Sequence, residues 1–283
     1  MPGLNSHQQL SFQRTPFAIA KKGTQWLRSL VALRPSDILL PSFPKTGSTW
    51  VRIVCWNMYA LKKTGTIPKL SFDQLDAEMP ELGKPATFNQ TEHSPSPRLI
   101  KTHHRYLPIF YRRHQSLLIA RHPLSTLDSL FAYTRNHVSF RFQGTMEDLA
   151  RDPRMGIEAM MRFYASWLPH TDLVLTYEAL RNNPGPEFAR LFSFMDIPCT
   201  AGELDAVLEA SSLARTRDAQ NNSSAAYQNQ YETGFMFARS GRTKPETETR
   251  PSSITEHYNA LIKKYAFTLY PVEDTANETQ DNT

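Results

Sequence analysis

The stretch from Asp37 to Leu61 constrains the fold of this chain more than any other. Asp37-Ile38-Leu39-Leu40 is a short apolar run that reads as a buried strand. Val51 to Leu61 is apolar on nearly every side of a helix, with Lys62, Lys63 and Gly65 as stop signals. Between them lies Ser42-Phe43-Pro44-Lys45-Thr46-Gly47-Ser48-Thr49-Trp50. A strand, a tight turn with one glycine and a helix opening on Ser and Thr make a phosphate cradle. The amides of the turn and first helical turn have no intrahelical partner, and the helix dipole adds positive potential there. Ser48 and Thr49 add hydroxyl donors, and Lys45 adds a mobile cation. The spacing differs from the nucleotide-hydrolase loop G-x-x-x-x-G-K-[ST], because here the lysine precedes the only glycine by two residues.

Beyond this unit, strand and helix patterns alternate. Arg98-Leu99-Ile100-Lys101 reads as a strand leading into Thr102-His103-His104. Ser116 to Ala120 is a second, followed by Arg121-His122-Pro123, with Pro123 placed to start a helix through about Arg135. Asp172 to Thr176 is a third, ending at Tyr177-Glu178, and helices follow at about Pro186–Met195 and Glu203–Leu213. The alternation predicts a single α/β domain with a doubly wound, mainly parallel sheet. Lys45, His103, Arg121 and Tyr177 each follow the C-terminal end of a predicted strand, the edge where such sheets bind ligands.

The expected division is a basic N-terminal segment with a packing helix over 1–36, a domain over 37–270 and a flexible acidic tail over 271–283. Residues 1–36 hold five Lys or Arg and no Asp or Glu, which also admits a targeting segment. Residues 66–97, rich in Pro, Ser and Thr, read as a long excursion walling an acceptor site. Residues 214–253 are polar and read as a long loop or lid. A formal charge of +5 suits an anionic ligand but gives no case for nucleic acid. Two cysteines, Cys55 and Cys199, supply neither a disulfide framework nor a zinc site, which favours a reducing, cytoplasmic setting. No run is long and apolar enough to predict a membrane span, so no membrane partner is expected.

Four segments together resemble the PAPS-dependent sulfotransferases of the soluble, small-molecule type (PAPS is 3′-phosphoadenosine 5′-phosphosulfate). Pro44 to Trp50 is similar to the family's P-K-[ST]-G-[ST]-[ST]-W loop, which holds the 5′-phosphosulfate. Lys101-Thr102-His103 resembles its K-T-H segment, whose histidine is the general base, a task that suits an imidazole. Arg121-His122-Pro123 with Ser129 resembles the segment whose Arg and Ser hold the 3′-phosphate, although Ser125 stands where the family commonly has Asp. Phe237-Ala238-Arg239-Ser240-Gly241 resembles F-x-R-[KR]-G, another 3′-phosphate contact, but the family's following G-D-W-K is missing.

The resemblance implies cofactor-binding roles for Lys45, Thr46, Gly47, Ser48, Thr49, Trp50, Arg121, Ser129, Tyr177, Arg239, Ser240 and Gly241, with Trp50 and Tyr177 flanking adenine. It implies His103 as base, with His104 its rival, and Lys45 as the cation that neutralises the leaving PAP (3′,5′-bisphosphoadenosine). Lys101 would support the sulfuryl oxygens and Ser129 would restrain Lys45. No metal is implied. The partner would be a small-molecule alcohol, phenol or amine. Tyr106, Phe110, Tyr111, Phe131, Tyr133, Phe140 and Phe142 are candidates for an aromatic acceptor pocket. Arg105, Arg112, Arg113, Arg135 and Arg141 are the alternative, for an acidic acceptor. Two other readings stay open: a P-loop kinase or nucleotide hydrolase, which needs a missing G-K-[ST], and a PAP-binding protein with non-transfer chemistry.

Overall fold

The computed structural model describes residues 16–88, 96–238, 241 and 250–273. Four short strands form the centre: β1 (Ile38–Pro41), β2 (Leu99–Thr102), β3 (Leu117–Ala120) and β4 (Leu173–Thr176). β1 pairs parallel with β2, Ile38 opposite Leu99, and β3 pairs parallel with β4, Leu117 opposite Leu173. Parallel bridges Leu39↔Ser116 and Ser42↔Ile119 join β1 to β3, giving the order β2-β1-β3-β4. A further parallel bridge, Glu81↔Lys101, lays residues 80–82 along the free edge of β2.

The strands read as continuous apolar runs because both faces of the sheet are covered. Leu39, Ile100, Leu118 and Ala120 face one core, closed by helices Pro123–Asn136, Ile157–Trp167 and Ser252–Lys264. Ile38, Leu40, Leu99, Leu117, Ile119 and Leu175 face the other, closed by helices Ser48–Thr64, Pro184–Phe194 and Ala201–Ala210. This is the doubly wound architecture that the alternation predicts. The chain leaves β1 toward β2 on one side and continues to β3 on the other. The crevice beyond the carboxyl ends of β1 and β3 is therefore the topological switch point, where such sheets bind ligands.

The start of the sheet is tied by a buried ion pair. Arg98, just before β2, meets Asp37, just before β1, through two contacts of 2.7 and 2.5 Å, with the side chains 4% and 1% exposed. Arg98 also donates to the Ala32 carbonyl at 2.9 Å, which ties in the chain leaving helix Pro16–Val31. That helix seats Trp26 against Phe110 and His104, with ring centroids 5.3 Å apart in both cases.

The expected polar loop over 214–253 is corrected in part. Helices Leu213–Asn221 and Ala225–Gln228 fill its first half. Ser212 Oγ accepts from the Arg215 amide and Ser224 Oγ from the Tyr227 amide, so each helix starts on a serine cap. The first helix buries Thr216, Ala219 and Gln220, a stripe too polar and small to register as an apolar period. Helix Ser252–Lys264 then begins within the last residues assigned to that loop. Among the described residues no helix is long and apolar enough to cross a membrane.

Candidate active site

After β1 the chain turns through Lys45, at φ 71°, and Gly47, at φ 102°, before helix Ser48–Thr64 begins. Both lie in the left-handed region, and at Gly47 a side chain is also excluded by space. A Cβ there would stand 2.5 Å from Tyr177 Cδ2, so glycine lets the ring at the end of β4 close onto the loop. The Thr46 hydroxyl donates inward to the Phe43 carbonyl at 2.8 Å and is fully buried, so it braces the turn rather than facing the crevice. Pro44, Lys45, Gly47, Ser48, Thr49 and Trp50 do line the crevice, a cavity of about 410 Å³.

Trp50 is held by its indole N–H, which donates to the Ser211 carbonyl at 2.9 Å, and lies edge-on to Tyr177. Arg181, absent from the sequence-based set, packs over Trp50 at 5.4 Å and lines the same cavity with Leu213 and Gly241. Gly241 has φ 65°, and a Cβ on it would meet Arg181 at 3.2 Å. Arg121, at the end of β3, donates to the Lys45 carbonyl at 3.2 Å and lies 4.3 Å from the Tyr177 ring centre. Ser129, two turns along helix Pro123–Asn136, lines the same cavity. Arg239 and Ser240 lie outside the described residues.

His103 and His104 are separated by the fold. His103 lines the cavity, and its Nδ1 lies 2.5 Å from the Ser42 carbonyl. A carbonyl only accepts, so Nδ1 carries the proton and Nε2 keeps its lone pair. Burial, then the neighbouring Lys101 charge, lower the His103 pKa to about 4, with Glu81 opposing. The ring is thus neutral at physiological pH. His104 turns to Trp26, and its carbonyl accepts from the Trp167 indole.

Lys101 carries a partner that sequence reasoning missed. Its Nζ lies 3.2 Å from Glu81 Oε2, which also lies 3.0 Å from Lys84 Nζ. Burial lowers the Lys101 pKa and Glu81 opposes it. Burial alone would raise the Glu81 carboxyl, yet Lys101, His103, Lys84 and Arg52 together hold it well below the carboxylate range. The Pro-Glu-Leu-Gly run over 80–83 carries no periodic or motif signal, so only the bridge to β2 reveals it.

Aromatic rings close the other side. Tyr133 and Phe140 line the cavity as expected, joined by Phe72, Tyr227, Tyr231 and Phe237. The Lys45 ammonium lies 3.3 Å from the Phe237 ring centre and 4.9 Å from that of Tyr133. The remaining aromatic candidates are corrected: Tyr106 and Tyr111 pack on Trp167, Phe110 on Trp26 and Phe131 on Phe142, outside the cavity lining. Arg105, Arg112, Arg113, Arg135 and Arg141 are exposed and likewise do not line it. Among the described residues no group of three or more His, Cys, Asp or Glu is placed to hold a metal.

A parallel α/β sheet that gathers a helix N-terminus, a lysine and an arginine at its switch point is built to bind an anionic group such as a phosphate. The sulfotransferase domain model matches residues 35–265. The chain belongs to the PAPS-dependent sulfotransferase family. It is 24% identical over 216 residues to chimpanzee (Pan troglodytes) sulfotransferase 6B1, covering 71% of this chain and 69% of that one. It is 24% identical over 196 residues to mouse (Mus musculus) sulfotransferase 4A1, covering 62% and 66% respectively. Its fold is similar to that of mouse sulfotransferase SULT7A1 complexed with PAP, with a TM-score of 0.63, 21% identity and coverage of 87% and 90%. Retinol dehydratase in a complex with retinol and PAP superposes with a TM-score of 0.68 at 15% identity, covering 87% of this chain and 88% of that one.

Proposed function

We propose that the protein transfers a sulfuryl group from PAPS to a hydroxyl or amine of a small-molecule acceptor. The donor supplies an activated sulfuryl group on a nucleotide leaving group. Its phosphosulfate end fits the amides that follow Gly47, the hydroxyls of Ser48 and Thr49 and the Lys45 ammonium. Its base fits against the Trp50 and Tyr177 rings that border the cavity, with Arg181 and Leu213 alongside. Its 3′-phosphate calls for Arg121 and Ser129, with Arg239 to Gly241 as further candidates. An arginine fork suits phosphate because its donors match two oxygens at once.

The observation that carries this reading is the contact of His103 Nδ1 with the Ser42 carbonyl, which assigns the proton of the neutral ring to Nδ1. With Nδ1 committed to the Ser42 carbonyl, Nε2 is the group left to take the acceptor's proton, on the same cavity as the Lys45 loop. Sulfuryl transfer, like phosphoryl transfer, asks little covalent chemistry of the protein, so placement and charge dominate. Lys45 supplies the cation and the loop amides supply fixed dipoles. The ring of aromatic side chains favours a flat or apolar acceptor body.

The test is incubation with sulfur-labelled PAPS and a panel of alcohols, phenols and amines, read by mass spectrometry. A sulfated product formed together with PAP is expected. An acceptor that only loses water would move the reading to dehydration. In a parallel incubation with ATP, release of phosphate without any sulfation from PAPS would move it to the nucleotide hydrolases.

A further inference from the structure

Glu81 belongs to no motif, yet its carboxylate stands where two lysines meet. Oε2 lies 3.0 Å from Lys84 Nζ and 3.2 Å from Lys101 Nζ, and the Glu81 side chain is 13% exposed. The main chain fixes it there. The Lys101 amide donates to the Pro80 carbonyl and the Leu82 amide donates to the Lys101 carbonyl, both at 2.9 Å. Glu81 and Lys101 are therefore paired residues of a parallel bridge, with side chains on the same face. His103 follows Lys101 by two residues, the spacing that returns an extended chain to one face, and all three line the cavity.

We infer that Glu81 is a positioning residue for the transfer reaction, a carboxylate that holds the Lys101 ammonium charged and oriented beside His103, with Lys84 sharing the charge. The inference rests on the reaction proposed above. A buried lysine without a counter-ion gives up its proton, which would remove a cation from a site that must stabilise negative charge. The other charged or titratable groups around the carboxylate do not replace it. Arg52, from helix Ser48–Thr64, pairs with Asp76 of helix Phe72–Glu78 at 3.1 Å, and Asp76 also reaches Lys84 at 3.4 Å. Tyr133, from helix Pro123–Asn136, has its pKa raised by burial and, to a lesser degree, by Tyr231 and Glu81. Without Glu81, the one anion left near Lys101 and Lys84 among the described residues would be Asp76, already shared between Arg52 and Lys84, and the imidazole would become a weaker base. One carboxylate thus supports both the charge of the lysine and the basicity of the histidine.

Glu81→Gln keeps the shape and removes the charge. NMR titration of Lys101 and His103 in the full chain, assigned with Lys101→Met and His103→Phe, reads the effect directly. Both midpoints should fall by about one unit or more, the scale of losing an opposite charge a few ångströms away. The pH profile of turnover should follow, its alkaline limb moving down with Lys101, and Glu81→Asp should recover part of both shifts. Lys84→Gln is the opposite control. It removes a cation from a half-exposed position and should move the Lys101 midpoint up. Unmoved midpoints in Glu81→Gln, or moved midpoints with unchanged limbs in the turnover profile, would overturn the inference. A protein that transfers no sulfuryl group before mutation would instead fail the proposed function, whatever the midpoints do.

Discussion

At Gly47 the backbone and the binding slot make the same demand. Its φ of 102° costs any side-chain-bearing residue about 1–2 kcal/mol. Its missing Cβ also leaves the room that Tyr177 occupies. Gly47→Ala should therefore weaken nucleotide binding and lower the melting temperature together, checked by calorimetry and thermal unfolding on one preparation. Lys45 differs, because its charge acts on negative charge that grows only during transfer. Lys45→Ala should lower turnover while leaving PAP affinity nearly intact. A loss smaller than about tenfold, ~1.4 kcal/mol, would remove Lys45 from that role. His103→Ala should cost about 10²–10⁴-fold toward a hydroxyl acceptor, and His104→Ala little, since His104 faces Trp26. The reverse ranking would place the base at His104. The pH dependence has a definite sign. His103 titrates near 4 in the fold instead of near 6.5, so it stays in the basic form down through pH 5. On the acid side, activity should hold through pH 5 and fall as the pH approaches about 4. In the same window the unfolded chain takes up the proton first, so protonation favours unfolding and stability declines from pH 6.5 toward 4.

The sheet edge depends on an element that contributes nothing to catalysis directly. Asp37 and Arg98 fix the starts of β1 and β2, and so the positions at which the Lys45 loop and His103 emerge. Arg98→Met would leave Asp37 buried with the Arg34 amide at 2.7 Å as its remaining polar partner. The expected cost is about 3–5 kcal/mol, measured by denaturant unfolding; a change below about 1 kcal/mol would mean that the pair is dispensable. Legibility divides along similar lines. The phosphate cradle was readable because strand, turn and helix cap are written in consecutive residues, and each strand end displayed its polar residue at a fixed place. Glu81 was not, since its meaning comes from a bridge to a residue twenty positions away. The rings of Tyr227 and Tyr231 were hidden for a related reason. They come in on and just after a short serine-capped helix that buries no residue, and the helix before it buries a polar, small stripe, so the segment reads as a loop.

For the molecule as a whole, the fold collects at one switch point groups drawn from four strand ends and from the segment that covers them. The central claim is that this crevice is built for a nucleotide bearing a phosphate on its 3′-oxygen. Charged hydrogen bonds from arginine to phosphate contribute roughly 1.5–3 kcal/mol each. Calorimetric titration of PAP and AMP into the unmutated protein and into Arg121→Ala tests the claim most directly. PAP should bind at least about a hundredfold more tightly than AMP, and the gap should narrow markedly in Arg121→Ala. Equal affinity of the unmutated protein for the two nucleotides would contradict the account, even with the loop from Pro44 to Trp50 intact.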